Sequence, residues 1–156
     1  MAASPLHDAA AIIGIGATEF SKNSGRSELQ LAAEAVRAAL RDAGVHPSEV
    51  DGMTTFTMDT NDEIEVARAV GIGDLTFFSR TPHGGGACIG VIQQAVMAIA
   101  SGVAECIVVH RAFNERSGRR YSTGVSEPLV TADSIHWSWY MPFGLSTPAS
   151  WVAMCA

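Results

Sequence analysis

Gly84-Gly85-Gly86-Ala87-Cys88-Ile89-Gly90-Val91-Ile92-Gln93-Gln94-Ala95-Val96-Met97-Ala98-Ile99-Ala100-Ser101-Gly102-Val103-Ala104 is the stretch that decides how this chain folds. Three glycines open it, no charged residue falls between Ala87 and Ala100, and Ser101-Gly102 closes it. The pattern predicts a helix over 87–100 with apolar residues on every face, and hence one buried all round. The apolar run from Ala104 to His110 follows at once and reads as a strand. Another strand is expected just before the glycines, from Leu75 to Ser79.

The same alternation continues toward the N-terminus. Glu63 to Val70 is helical in pattern, with Asn61 or Asp62 as its cap, and Met53 to Met58 is a strand rich in Thr and Phe. Ser27 is placed to cap a helix from Glu28 to Ala43, in which Leu29, Ala32, Ala33, Val36 and Leu40 recur at helical spacing before Gly44. Ala9 to Ile15 is a short apolar run that fits a buried strand, with a turn at Gly14-Ile15-Gly16. Strand, helix, strand, helix, strand, helix, strand predicts a layered α/β architecture on a largely parallel sheet, with strands near 10–16, 53–58, 75–79 and 104–110.

Composition narrows the function. The chain has 156 residues, 47% hydrophobic and 17% charged, which suits one globular domain. A net charge of −6 argues against nucleic acid as a partner. Arg111, Arg116, Arg119 and Arg120 are a local basic cluster that suits a phosphorylated small molecule. Cys88, Cys106 and Cys155 sit in apolar segments with no CxxC pairing, which reads as reduced, buried thiols in a cytoplasmic protein. The N-terminus lacks the pattern of a signal peptide, and no apolar stretch reaches the roughly 18–20 residues of a membrane span. Residues 1–112 are expected to form the α/β core. Residues 113–156 form a loop and dimerisation segment, whose abrupt end at Ala156 has neither cap nor polar tail and reads as a cut.

Several features admit two readings. Gly14-Ile15-Gly16 lacks the third glycine of a dinucleotide fingerprint, so a tight turn is the better account. Gly84, Gly85 and Gly86 at a helix N-terminus suit the close approach of an anion or a polarised carbonyl, or equally tight packing of backbone. His83 is a candidate acid–base group or an ordinary loop histidine, with the second favoured. Cys88 is a candidate nucleophile, although its apolar neighbours favour a packed core thiol. Arg116, Arg119 and Arg120 can grip phosphate or form ion pairs between subunits. Trp137, Trp139 and Tyr140, in a stretch with no regular pattern from Phe113 to Ser146, can line a substrate or dimer contact, or pack locally.

The run from Gly84 to Ala104 resembles the central active-site helix of the thiolases, in which a nucleophilic cysteine opens a buried helix and a Gly-x-Ala turn closes it. Matching Gly102-Val103-Ala104 to that turn puts Gly85, not Cys88, at the nucleophile position. Ile13-Gly14-Ile15-Gly16-Ala17-Thr18, Asp42-Ala43-Gly44 and Val50-Asp51-Gly52 are similar to the sterol-carrier-protein-type branch of that superfamily. The stretch from Arg111 to Arg120 resembles a narrower subgroup, the lipid-transfer-protein aldolases of steroid side-chain degradation.

The resemblance implies an N-terminal half of a thiolase fold, a layered sheet with a buried central helix. It implies a homodimer acting on an acyl-CoA, with coenzyme A entering as part of the substrate and no covalently held cofactor or metal. The reaction implied is retro-aldol cleavage of a β-hydroxyacyl-CoA side chain, assisted by a small partner protein with an OB-fold and a zinc ribbon. Gly84, Gly85, Gly86, Arg116, Arg119, Arg120, Trp137 and Tyr140 would then bind substrate. The acid–base residues would come from a second half outside this chain. The alternatives are an acetyl-CoA acetyltransferase using Cys88, and a lipid-binding or scaffold half-domain without activity.

Overall fold

The computed structural model describes residues 6–56, 61–81, 87–117, 137–145 and 147–156. They divide into two compact units, Met1–Phe113 and Asn114–Ala156. His83, Gly84, Gly85, Gly86, Arg119 and Arg120 lie outside the described residues.

In the first unit, α1 spans Glu28–Ala43. Ser27 caps it as expected, its Oγ accepting from the Gln30 N–H at 3.1 Å. Gly44 ends it at φ +68°. The Gly44 N–H donates to the Arg41 carbonyl at 3.3 Å, and the Val45 N–H to the Leu40 carbonyl at 3.0 Å, a Schellman closure that needs the left-handed glycine. Helix α2 spans Glu63–Val70. Asp62 holds the cap position but makes no capping bond there, because its carboxylate turns to Arg80 at 2.7 Å.

The sheet is three parallel strands in the order β2-β1-β3: β1 Gly52–Phe56, β2 Phe77–Thr81 and β3 Ile107–Val109. The second strand starts two residues later than its sequence pattern suggested, and the third is shorter. Central β1 is buried along its whole length, as a parallel strand covered on both faces should be. Met53 and Val108 join Leu31, Val36, Leu40, Val66 and Val70 in the core beneath α1 and α2. On the opposite face Thr54 Oγ1 donates to the Val91 carbonyl of α3, Ala87–Ala100, at 3.3 Å. Each Val, Leu or Met side chain fully buried in that core contributes about 1.5–3 kcal/mol.

Asp51 joins the strands at their amino ends. Its carboxylate accepts from the Cys106 N–H at 2.9 Å and the Glu105 N–H at 2.9 Å. Its carbonyl accepts from the Thr76 N–H at 2.8 Å and the Phe77 N–H at 3.2 Å. Gly52 follows because a β-carbon there would stand 2.8 Å from Ile107 Cγ1. Val50-Asp51-Gly52 is therefore a device of sheet assembly.

Four expectations need correction. Residues 10–16 form no strand; Ile12, Ile13 and Ile15 are 75%, 61% and 75% exposed. The segment lies along α1, with the Ile15 N–H donating to Asp42 Oδ2 at 2.9 Å. Gly14 and Gly16 are not turn glycines, since neither has positive φ. They let this segment approach the α1 backbone, where a β-carbon on Gly16 would fall 2.3 Å from the Ala35 carbonyl oxygen. Helix α3 is not buried all round. Ala87, Val91, Ala95 and Ala98 face the sheet, while Ile89 and Met97 are 69% and 44% exposed. One sheet covers one face, and no described element covers the other. Cys88, on this helix, is exposed, and so is Cys155 of the last helix, so neither is a core thiol, whereas Cys106 is half-buried against the core.

In the second unit, part of the stretch expected to be irregular is helical. Helix α4 spans Trp137–Tyr140, a 3-10 turn covers Met141–Phe143, and α5 spans Pro148–Cys155 under a Thr147 cap. Tyr140 packs on Trp151 with ring centroids 4.1 Å apart, and Trp151 Nε1 donates to the Leu145 carbonyl at 3.1 Å. Among the described residues, no helix is long and apolar enough to cross a membrane.

Candidate active site at the carboxyl ends of the strands

Because the three strands are parallel, their carboxyl ends meet at one edge: Phe56, Thr81, and Val109 followed by His110 and Arg111. Ligands of open α/β sheets bind at that edge. The amino end of α3, with Cys88 in its first turn, follows the carboxyl end of β2 through residues 82–86. The first N–H groups of a helix have no intrahelical partner and carry the positive end of its dipole. An anionic oxygen is favoured there.

Two arginines occupy this edge differently. Arg80 clamps the start of α2. Its Nε donates to Glu63 Oε1 at 2.6 Å, and its Nη2 donates to Glu63 Oε2 at 3.1 Å and to the Asn61 carbonyl at 3.2 Å. Hydrogen bonding to Glu63 pushes the Arg80 guanidinium above its ordinary pKa. Arg111 lies over Phe56, 4.9 Å from the ring centroid, and 5.9 Å from that of Phe113, a cation–π arrangement. Arg111 is thus placed by aromatic rings at the strand ends. Arg116 is exposed in the second unit, and Arg119 and Arg120, the rest of the expected cluster, lie outside the described residues. Tyr140 is partly exposed beside Trp151, and Trp139 is 73% exposed.

His110 was read only as the end of a strand, and its side chain is the feature that sequence reasoning missed. It is 8% exposed, and burial pushes its imidazole from 6.5 down to about 4, Glu63 opposing that shift and Arg80 adding to it. The available signal was its spacing: two residues after Val108, it must share the face that Val108 turns to α1 and α2. The depressed pKa has a consequence for stability. Above pH 6.5 the ring is neutral both folded and unfolded; as the pH falls, the unfolded chain takes the proton first, down to about pH 4. The expected result is about 3 kcal/mol of stability lost across that window. Urea unfolding of the wild type and His110→Phe should show that part of the slope vanishing in the variant.

An open groove of about 290 Å³ lies on α1, lined by residues that include Thr18, Glu34, Arg37 and Arg41. It borders none of the strand ends. Among the described residues, no group of three His, Cys, Asp or Glu side chains is placed to hold a metal ion.

No protein-family model matches the chain. The steroid side-chain-cleaving aldolase of Thermomonospora curvata is 63% identical over 98% of this chain and 40% of its own length. The 17-hydroxy-3-oxo-4-pregnene-20-carboxyl-CoA lyase of Mycobacterium tuberculosis is 61% identical over 97% of this chain and 40% of its own. The chain is a close homologue of the steroid side-chain aldolases. It spans about 40% of the length of these aldolase relatives. A solved structure, an Ltp2-ChsH2(DUF35) aldolase, matches with a TM-score of 0.77 and 63% identity over 92% of this chain and 36% of that one. An acetyl-CoA acetyltransferase of Syntrophomonas wolfei, 19% identical with a TM-score of 0.52 over 86% of this chain and 42% of that one, shares the fold. The chain therefore has a thiolase-like fold.

Proposed function

We propose that this chain supplies the thioester-binding part of a steroid side-chain aldolase, which cleaves a β-hydroxyacyl-CoA by a retro-aldol reaction. The observation that carries the reading is identity above 60% across nearly the whole chain to two carbon–carbon-cleaving proteins. In the reaction a base removes the hydroxyl proton and the C–O bond becomes a ketone. The electrons of the breaking C–C bond pass to the carbon beside the thioester, and the resulting enolate is then protonated to a short acyl-CoA. No step needs a thiolate, which agrees with Gly85 at the thiolase nucleophile position. The enolate oxygen is the charge to be stabilised, and the N–H groups at the start of α3, with Gly84, Gly85 and Gly86 before them, suit that task. Arg116, Arg119 and Arg120 would take the phosphates of coenzyme A, and Trp137 and Tyr140 the apolar body of the substrate.

The base belongs to a part of the aldolase beyond this chain, and His83 remains a candidate for an assisting role. The exposed Trp139, Phe143, Val152 and Met154 of the second unit suit a dimer contact or a DUF35-type partner protein. The assembled enzyme, given 17-hydroxy-3-oxo-4-pregnene-20-carboxyl-CoA, is expected to release a steroid ketone and a short acyl-CoA in equal amounts. Acyl transfer to free coenzyme A without ketone release would instead support a thiolase.

A further inference from the structure

The reaction above gives Arg111 no task, although the strand pattern carries it to the reacting face. The register that pairs Thr54 with Val109, continued by the His110 N–H donating to the Thr54 carbonyl at 3.2 Å, sets Arg111 beside Phe56. Alternation gives Ile107, Val109 and Arg111 the same face as Gly52, Thr54 and Phe56. Thr54 identifies that face by its bond to the Val91 carbonyl of α3. On the other side of Phe56 stands Thr81, its register partner in β2. The first turn of α3 lies against that threonine, since a β-carbon on Gly90 would fall 2.9 Å from Thr81 Cγ2. Thr81, Phe56 and Arg111 therefore form one row across the sheet, with the amino end of α3 packed on its first member.

Neighbouring strands lie about 4.8 Å apart, so the backbone of Arg111 is two such spacings from Thr81. Its side chain shortens that separation. The guanidinium lies over Phe56 of the middle strand, 4.9 Å from the ring centroid, and Phe113 flanks it at 5.9 Å. An aromatic face holds a guanidinium through its π surface, not through its N–H groups, and Arg111 is exposed at this edge. We infer that Arg111 is the cation that faces the enolate oxygen, sharing that charge with the N–H groups at the start of α3. This role rests on the aldolase reading, which sets the thioester at that helix end. The phosphates of coenzyme A are the other anions of the ligand, but the pantetheine arm holds them far from the thioester. A guanidinium about one strand spacing from the row's first member stands at the thioester end instead. A charge already in position needs no reorganisation as the enolate forms, so it favours the transition state over the neutral thioester.

The test compares Arg111→Met, which keeps a flexible stem and removes the charge, with Arg111→Lys, which keeps a charge, in the assembled enzyme. Melting curves are taken together with kcat and KM for the β-hydroxyacyl-CoA and the affinity for free coenzyme A. Exchange of the α-protons of the short acyl-CoA with deuterated solvent is followed as well. That exchange runs the last step backwards and reports enolate formation without C–C cleavage. The expected result for Arg111→Met is a fall of roughly 10²–10³-fold in kcat and in exchange, with KM and coenzyme A affinity unchanged. Arg111→Lys recovers about tenfold or more of that loss. A raised KM and weaker coenzyme A binding at an intact kcat means a phosphate contact and overturns the proposal. Should Arg111→Met fail to fold, Arg111→Gln takes its place as the neutral variant. A lowered midpoint with wild-type rates wherever the neutral variant is folded means that Arg111 serves the fold alone, and this too overturns the proposal. A wild type that neither cleaves nor exchanges removes the aldolase reading itself, whereas an active wild type with an equally active variant removes only the role of Arg111.

Discussion

Gly85→Leu is expected to reduce turnover of the assembled aldolase by on the order of 10³-fold while leaving its thermal midpoint within a degree or two of wild type. Gly85 precedes α3, at the position that the resemblance to thiolases matches to their nucleophile, and in the proposed function a thioester carbonyl approaches the first N–H groups of that helix. A leucine side chain there fills that approach and holds the enolate oxygen away from its donors. Losing such donors costs roughly 10²–10³ in rate where it has been tested. The fold should not suffer, because what fixes α3 is the burial of Ala87, Val91, Ala95 and Ala98 against the sheet. Single-turnover rates and melting curves read the two effects separately. Full activity in a well-folded Gly85→Leu protein would mean the substrate does not use this helix end.

Gly16→Ala is expected to cost about 3 kcal/mol, against a neutral or slightly stabilising effect for Gly73→Ala. The added β-carbon at Gly16 would meet the Ala35 carbonyl oxygen and the Ala39 nitrogen, each at 2.3 Å, and these are helix backbone atoms that cannot turn aside. The segment must lift from α1 and give up the Ile15 bond to Asp42. Gly73 has nothing within 4 Å of the corresponding position and no positive φ. Its alanine only restricts the unfolded chain. Denaturant unfolding of the two variants should therefore separate by sign, and equal stabilities would refute the packing account of the Gly14-Ile15-Gly16 motif.

Local rules carried most of the framework. Caps and periodicity placed α1, α2 and α3 because each is bounded by residues whose backbone preferences are strong: Ser27 and Gly44, Gly71 at φ +93°, and Gly102 at φ +71°. What failed was what depends on neighbours. Apolar residues at 10–16 imply burial, but periodicity does not say against what, and here the segment lies against a helix instead of a sheet edge. The charge-free α3 looked buried on every face, although coverage of its second face needs elements the described residues do not contain. The site was legible only in part. The glycines and Gly85 could be matched to a known helix, whereas His110 gains its character from burial and from Glu63 and Arg80, residues far from it in the chain.

In the proposed retro-aldol reaction no cysteine of this chain attacks the substrate. Cys88 is the only thiol in the first turn of α3, and its exposure leaves it open to replacement with little loss of packing. Cys88→Ala in the assembled enzyme is predicted to melt with the wild type and to cleave the β-hydroxyacyl-CoA at a rate within about twofold, since an exposed side chain that takes no part in the chemistry has little to lose. A Cys88→Ala protein that folds normally but releases no ketone would contradict the account and return the thiolase nucleophile to this helix.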